Sequence, residues 1–109
     1  MKSGAAGEEK IFHALGDPSR RAIYESLARG EAAVKELTAR FDISQPAVSQ
    51  HLAALKEAGL VSARREGRLV YYRVEPDGMK PLIDWISRYR AFWTERIERL
   101  EQLLERMDE

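Results

Sequence analysis

From Met79 to Met107 the chain holds one helical pattern, with Ile86, Tyr89, Trp93, Ile97, Leu100, Leu104 and Met107 recurring at intervals of three or four. At 1.5 Å per residue, a helix of about thirty residues is roughly 45 Å long. In a chain of 109 residues, the remainder makes a core too small to cover that length, so the far half of the seam requires apolar surface from outside its own subunit. A second copy of the chain is the economical source. Pro76, Asp77 and Gly78 form the turn before this helix, and Pro81 fits its first turn, where no intrahelical hydrogen bond is lost. Arg88, Arg90, Glu95, Glu98, Arg99, Glu101 and Glu105 fall largely outside the seam and read as a solvated face.

The rest of the chain is punctuated by helix starts and stops. Residues 1–7 are small and polar without periodicity, so a frayed end is expected there. Glu8 to Leu15 sets Ile11, Phe12 and Leu15 at helical spacing and ends at Gly16. Asp17 then caps a second helix with Pro18 at its first position, Ile23, Tyr24, Leu27 and Ala28 as its core stripe, and Gly30 as its stop. A third helix, from about Ala32 to Arg40, turns Val34 and Leu37 inward, and Phe41, Asp42 and Ile43 connect it tightly to Ser44.

The segment Ser44 to Leu60, SQPAVSQHLAALKEAGL, has a capping serine, a proline in the first turn and Gly59 as its stop. Val48, Leu52 and Leu55 share one narrow stripe that must be buried. Gln45, Pro46, Ala47, Ser49, Gln50, Ala53 and Ala54 are left outward, short or amide-bearing side chains where a surface helix would normally carry Glu and Lys. Such a face can enter a groove. Two short helices meeting across a brief turn make a helix-turn-helix, in which the second helix lies in the DNA major groove and the first crosses the backbone. Gln45, Ser49 and Gln50 then lie on the groove-facing arc, with Gln50 the best placed to pair bidentately with adenine. Pro46 and Ala47 either touch a thymine methyl or serve only as helix-start residues. His51 lies at the edge of the buried stripe, and a hydrogen bond to a carbonyl or a DNA phosphate is expected of it in preference to a base contact.

Leu60 to Val74 changes period, with β-branched and aromatic residues on either side of Glu66-Gly67-Arg68, and reads as a β-hairpin. Alternation sends one of Tyr71 and Tyr72 toward the core and the other outward. The formal net charge is zero, so a basic molecule as a whole cannot be invoked. Locally, Arg64, Arg65, Arg68 and Arg73 fall within ten residues that contain one acid, Glu66. Arg64, Arg65 and Arg68 are therefore expected to clamp the DNA backbone, the alternative being arginines that only blunt an edge strand.

Three stretches, LGDPSRRAI (Leu15 to Ile23), SQPAVSQHLAALKEAGLV (Ser44 to Val61) and RREGRLVYY (Arg64 to Tyr72), occur in an order and separation that resemble the winged helix-turn-helix core of the ArsR family of bacterial transcriptional regulators. The resemblance covers about residues 10–75. It implies a mostly α fold with a small β-hairpin wing, a homodimer through the terminal helices, and repression at a double-stranded DNA operator. The expected organisation is a single domain over 1–109, with a DNA-binding core at 8–75 and a dimerisation helix at 76–109. Ile11 of the first helix and Trp93, Ile97, Leu100, Leu104 and Met107 of the last are expected at the dimer interface.

The departure from the family concerns sensing. Many ArsR-like proteins bind thiophilic metals through cysteines at a place matching Val34 to Thr38, and this chain has no cysteine. Others hold zinc-type metals across the C-terminal helices. Asp84 aligns with the start of that pattern, but the remaining positions are Ile86, Ile97 and Leu100, which cannot complete a tetrahedral site. His13 and His51 are the only histidines and lie on different helices. No metal or cofactor is expected, while the cysteine-free branch leaves room for an unidentified small-molecule effector. An enzyme is not expected either, since nucleophile, base and oxyanion roles find no candidates. No apolar run approaches the roughly 18 to 20 residues of a membrane span, and a cytoplasmic location is expected. A winged-helix module that docks another protein is the alternative to a DNA reader. It would expose large apolar residues where this chain has amides, hydroxyls and arginines.

Overall fold

The computed structural model describes residues 2–108, and the side chains of residues 7–108. Five helices and three short strands follow in the order α1 (Lys2–Gly16), α2 (Pro18–Arg29), β1 (Ala32–Ala33), α3 (Val34–Phe41), α4 (Gln45–Glu57), β2 (Val61–Glu66), β3 (Leu69–Val74) and α5 (Lys80–Asp108). Helix α1 begins at Lys2 and not at the expected Glu8. Of the end expected to fray, Met1 lies outside the described residues.

Each helix boundary has an identifiable cause. Asp17 stands in extended conformation before α2, where its carboxylate accepts the Arg20 N–H at 2.8 Å and Pro18 enters the first turn. Helix α4 ends with Leu60 N–H donating to Leu55 C=O and Gly59 N–H to Lys56 C=O, both at 3.0 Å, while Gly59 sits at φ 80°. This Schellman arrangement needs a left-handed residue, which glycine supplies at no steric cost.

Ala32 and Ala33, expected to begin the third helix, are instead a strand. They pair with Tyr72 and Tyr71 of β3, so the sheet has three antiparallel strands in the order β1-β3-β2. Two alanines are too few to show alternation, and the pairing is set by a strand nearly forty residues downstream. The β2–β3 hairpin closes through Gly67-Arg68 between the paired Glu66 and Leu69. Gly67 has φ 62°, the positive value required at the first central position of a II′ turn.

The core gathers Ile11 and Ala14 of α1, Ile23 and Leu27 of α2, Leu37 of α3, Val48, Leu52 and Leu55 of α4, and Leu60 and Val61 at the entry to β2. Ala28, expected in the α2 stripe, is exposed, and Ser26 is buried in its place, accepting a hydrogen bond from Arg40 at 2.6 Å. Tyr72 packs against the core, whereas Tyr71 lies beneath the Arg64 guanidinium, 4.9 Å from ring centroid to charge, which resolves the alternation of the two tyrosines.

Helix α5, 29 residues long, leaves the body of the molecule and has no fully buried residue. Only its first turns pack on α1. Phe12 meets Trp85 edge to face with centroids 5.4 Å apart, and Arg88 reaches the buried Glu8 carboxylate at 3.0 Å. Arg88 stays on the exposed face expected of it, 58% exposed, while its guanidinium ties α5 to α1. Gly78, in the turn before α5, approaches the wing base so closely that an added Cβ would lie 2.5 Å from Gly59 C=O and 3.0 Å from Leu60 Cα. Both neighbours are backbone and cannot rotate away. Gly78→Ala is therefore expected to lower stability by about 1–3 kcal/mol, read as a fall in the urea midpoint with unchanged slope, and parental stability would show that the turn can move.

Candidate nucleic-acid interface

Helices α3 and α4 are joined by a turn of three residues, possible because Asp42 adopts the left-handed conformation (φ 52°, ψ 44°) and returns its N–H to Thr38 C=O at 3.1 Å. Asp tolerates that region better than most residues. Ser44 then caps α4, its hydroxyl accepting the Ala47 N–H at 3.2 Å. Val48, Leu52 and Leu55 are completely buried, which fixes the rotation of α4 about its axis. Gln45, Pro46, Ser49 and Gln50 are consequently exposed, Ala47 is half-buried, and the three polar residues share the outward face at the start of the helix.

His51 is turned inward. Its side chain is 19% exposed and Nδ1 stands 3.9 Å from the Asp17 carboxylate, too far for a hydrogen bond. The imidazole therefore lies between α4 and the start of α2, beside the buried stripe, and among the described residues its Nδ1 does not make the carbonyl hydrogen bond expected of it. Asp17 is held below its ordinary carboxylate value, chiefly by the Arg20 N–H and also by the nearby His51 and Arg20 charges.

The wing divides its arginines. Arg64 pairs with Glu31 through two contacts, Nε to Oε1 at 3.1 Å and NH2 to Oε2, and with Glu66 at 3.2 Å, while its plane covers Tyr71. Glu31 is accordingly held below its usual carboxylate value and Arg64 is raised. Arg64 is thus engaged within its own chain, which corrects its place among the free charges at the hairpin tip. Arg65 and Arg68 are exposed and, among the described residues, pair with no carboxylate. Glu31 was not legible as a wing residue, because 33 positions separate it from Arg64 and no local spacing reports such a pair.

At the terminal helices, Ile11 is 0% exposed and belongs to the core of its own chain, so it has no surface to offer a partner. Trp93, Ile97, Leu100, Leu104 and Met107 are between 52% and 73% exposed. Asp84 meets Lys80 at 3.3 Å, and among the described residues no three His, Cys, Asp or Glu side chains come together.

Residues 17–63 match the profile of bacterial regulatory proteins of the arsR family. The chain is 41% identical over 97 residues to the HTH-type transcriptional regulator Rv2034 of Mycobacterium tuberculosis, covering 89% of this chain and 88% of that one. The chain belongs to the ArsR family. It is 33% identical to the transcriptional repressor SdpR of Bacillus subtilis, over 72% of this chain and 88% of that protein. An ArsR-like transcriptional regulator from Rhodococcus sp. RHA1 superposes with a TM-score of 0.74 at 29% identity, covering 91% of this chain and 93% of that one. As an ArsR-family member the protein is a DNA-binding transcriptional regulator.

Within this ArsR-family framework the motif LGDPSRRAI acquires a physical role. Arg20 and Arg21 donate to the C=O groups of His13, Ala14 and Leu15, closing the end of α1 as Asp17 opens α2. Because Asp17 is depressed in the folded state, its stabilisation is complete above the unfolded carboxylate value and lost as pH falls through the folded one. Asp17→Ala should therefore lower the melting temperature at pH 7, with the gap from the parent closing as the acid range is entered. A gap independent of pH would show that the carboxylate charge is not what caps α2.

Proposed function

We propose that the protein is a homodimeric repressor that binds an inverted-repeat operator in the cytoplasm and is released by an unidentified small-molecule effector. The observation that carries this reading is the exposed amide and hydroxyl face of α4, Gln45, Ser49 and Gln50, together with the exposed Arg65 and Arg68 of the wing, which among the described residues pair with no carboxylate. In this arrangement Gln50 reads a base, Ser44, Pro46 and Ala47 approach the groove at the helix start, and Arg65 and Arg68 hold phosphates. Repression is supported by relatives such as SdpR and the biofilm growth-associated repressor of Agrobacterium fabrum, 42% identical over 84 residues. HlyU of Vibrio cholerae, 34% identical over 88 residues, is named an activator. No helix among the described residues is long and apolar enough to cross a membrane.

Selection from a random duplex pool is expected to enrich an inverted repeat with half-site centres about one helical turn, ~34 Å, apart. Gln50→Ala should relax preference at one symmetric position and cost about 1–3 kcal/mol per half-site. Equal losses on selected and random duplexes would remove Gln50 from base reading.

Dimerisation is assigned to α5, where Trp93, Ile97, Leu100, Leu104 and Met107 present an apolar stripe that stays more than half exposed among the described residues. Burying each large side chain against a partner contributes about 1.5–3 kcal/mol. A chain ending after Arg90 should sediment as a monomer and bind operator weakly, since one reading head loses the avidity of two. A stable dimer of unchanged affinity would transfer the interface to α1.

A further inference from the structure

A cleft of about 230 Å³ opens between the start of α3, the first residue of α4 and the wing, with Lys35, Gln45 and Arg68 around it and Val34, Leu69 and Val70 as its walls. Three segments far apart in sequence thus place two cations and an amide around one opening. Lys35 and Arg68 are exposed and, among the described residues, have no carboxylate partner. The nearby acid, Glu36, is occupied in accepting the Ala33 N–H at 2.8 Å. Leu69 is 45% exposed at the hairpin tip, an apolar side chain in a basic setting. A cleft of one charge sign with low-dielectric walls concentrates the field and attracts the opposite charge more strongly than the same cations spread over an open surface.

We propose that this cleft seats one phosphate of the DNA backbone in each subunit, with Lys35 and Arg68 supplying the charge and the Gln45 amide a hydrogen bond. The inference rests on the DNA-reading assignment and goes beyond it by giving Lys35 a role and by moving Gln45 from base reading to backbone contact. The cleft adjoins the N-terminal end of α4, the end that approaches bases in a helix-turn-helix, so the seated phosphate flanks the groove that Gln50 enters. Wing and helix-turn-helix then grip the same strand, and the register of Gln50 over its base is set by that grip.

The test is a salt titration of binding to a random-sequence duplex and to a selected duplex, using the full chain with Lys35→Ala, Lys35→Arg and Gln45→Ala. Each lost phosphate contact lowers the slope of log affinity against log salt by about 0.9. Lys35→Ala is expected to reduce the slope by about that amount per subunit on both duplexes, and Lys35→Arg to restore it. Gln45→Ala should weaken both duplexes by the same factor. An unchanged slope for Lys35→Ala, or a Gln45→Ala loss confined to one base position, would overturn the proposal. A phosphate seat acts on any duplex, so the random-sequence arm decides this question even if no operator sequence is enriched.

Discussion

The complete burial of Val48, Leu52 and Leu55 on one side of α4 is the constraint from which the interface follows. A helix of 13 residues anchored by three such side chains has one rotational setting, and turning it would expose that stripe while burying Gln45, Ser49 and Gln50 without partners. Removing one buried leucine would cost about 2–5 kcal/mol, a large fraction of what holds a small domain folded. The polar face is thus held outward by what happens on the opposite side of the helix. The flanking devices serve the same setting: the Ser44 cap, the left-handed Asp42 before it and the Gly59 stop determine where α4 begins and ends.

Charge is distributed by a similar division of labour. The chain is formally neutral, yet its arginines are not equivalent. Arg20 and Arg21 close the end of α1, Arg40 binds Ser26, Arg64 binds Glu31 and Glu66, and Arg88 binds Glu8. The exposed Arg64 pairs contribute little to stability individually. The effect of these contacts is to fix where the scaffold's charges lie, leaving Arg65, Arg68 and Lys35 exposed on the side where a polyanion would approach.

Much of this was legible in sequence, and several of the misses share one cause. Helix caps at Asp17 and Ser44, the turn at Gly67 and the stripe of α4 depend on neighbours within four residues, and local pattern reports them faithfully. Ala32 and Ala33 became a strand because Tyr71 and Tyr72 pair with them, and Arg64 left the free wing charges because Glu31 lies beside it. Ile11 was assigned to an interface when the folded chain closes over it. Each of these outcomes was decided by a partner distant in sequence. The exposed seam of α5 is the complementary case, since its apolar spacing was plain and, among the described residues, its large side chains from Trp93 onward stay more than half exposed.

Two reading heads held at a fixed separation by α5 form the central claim of this account. The absence of cysteine permits a direct measurement, because Ser49→Cys introduces one labelling site per chain on the exposed face of α4. Pulsed dipolar spectroscopy on the spin-labelled protein without DNA should give one narrow distance distribution centred near ~34 Å, the spacing of successive major-groove half-sites. Loss of the dipolar signal, or a broad distribution without a maximum near that distance, would contradict it.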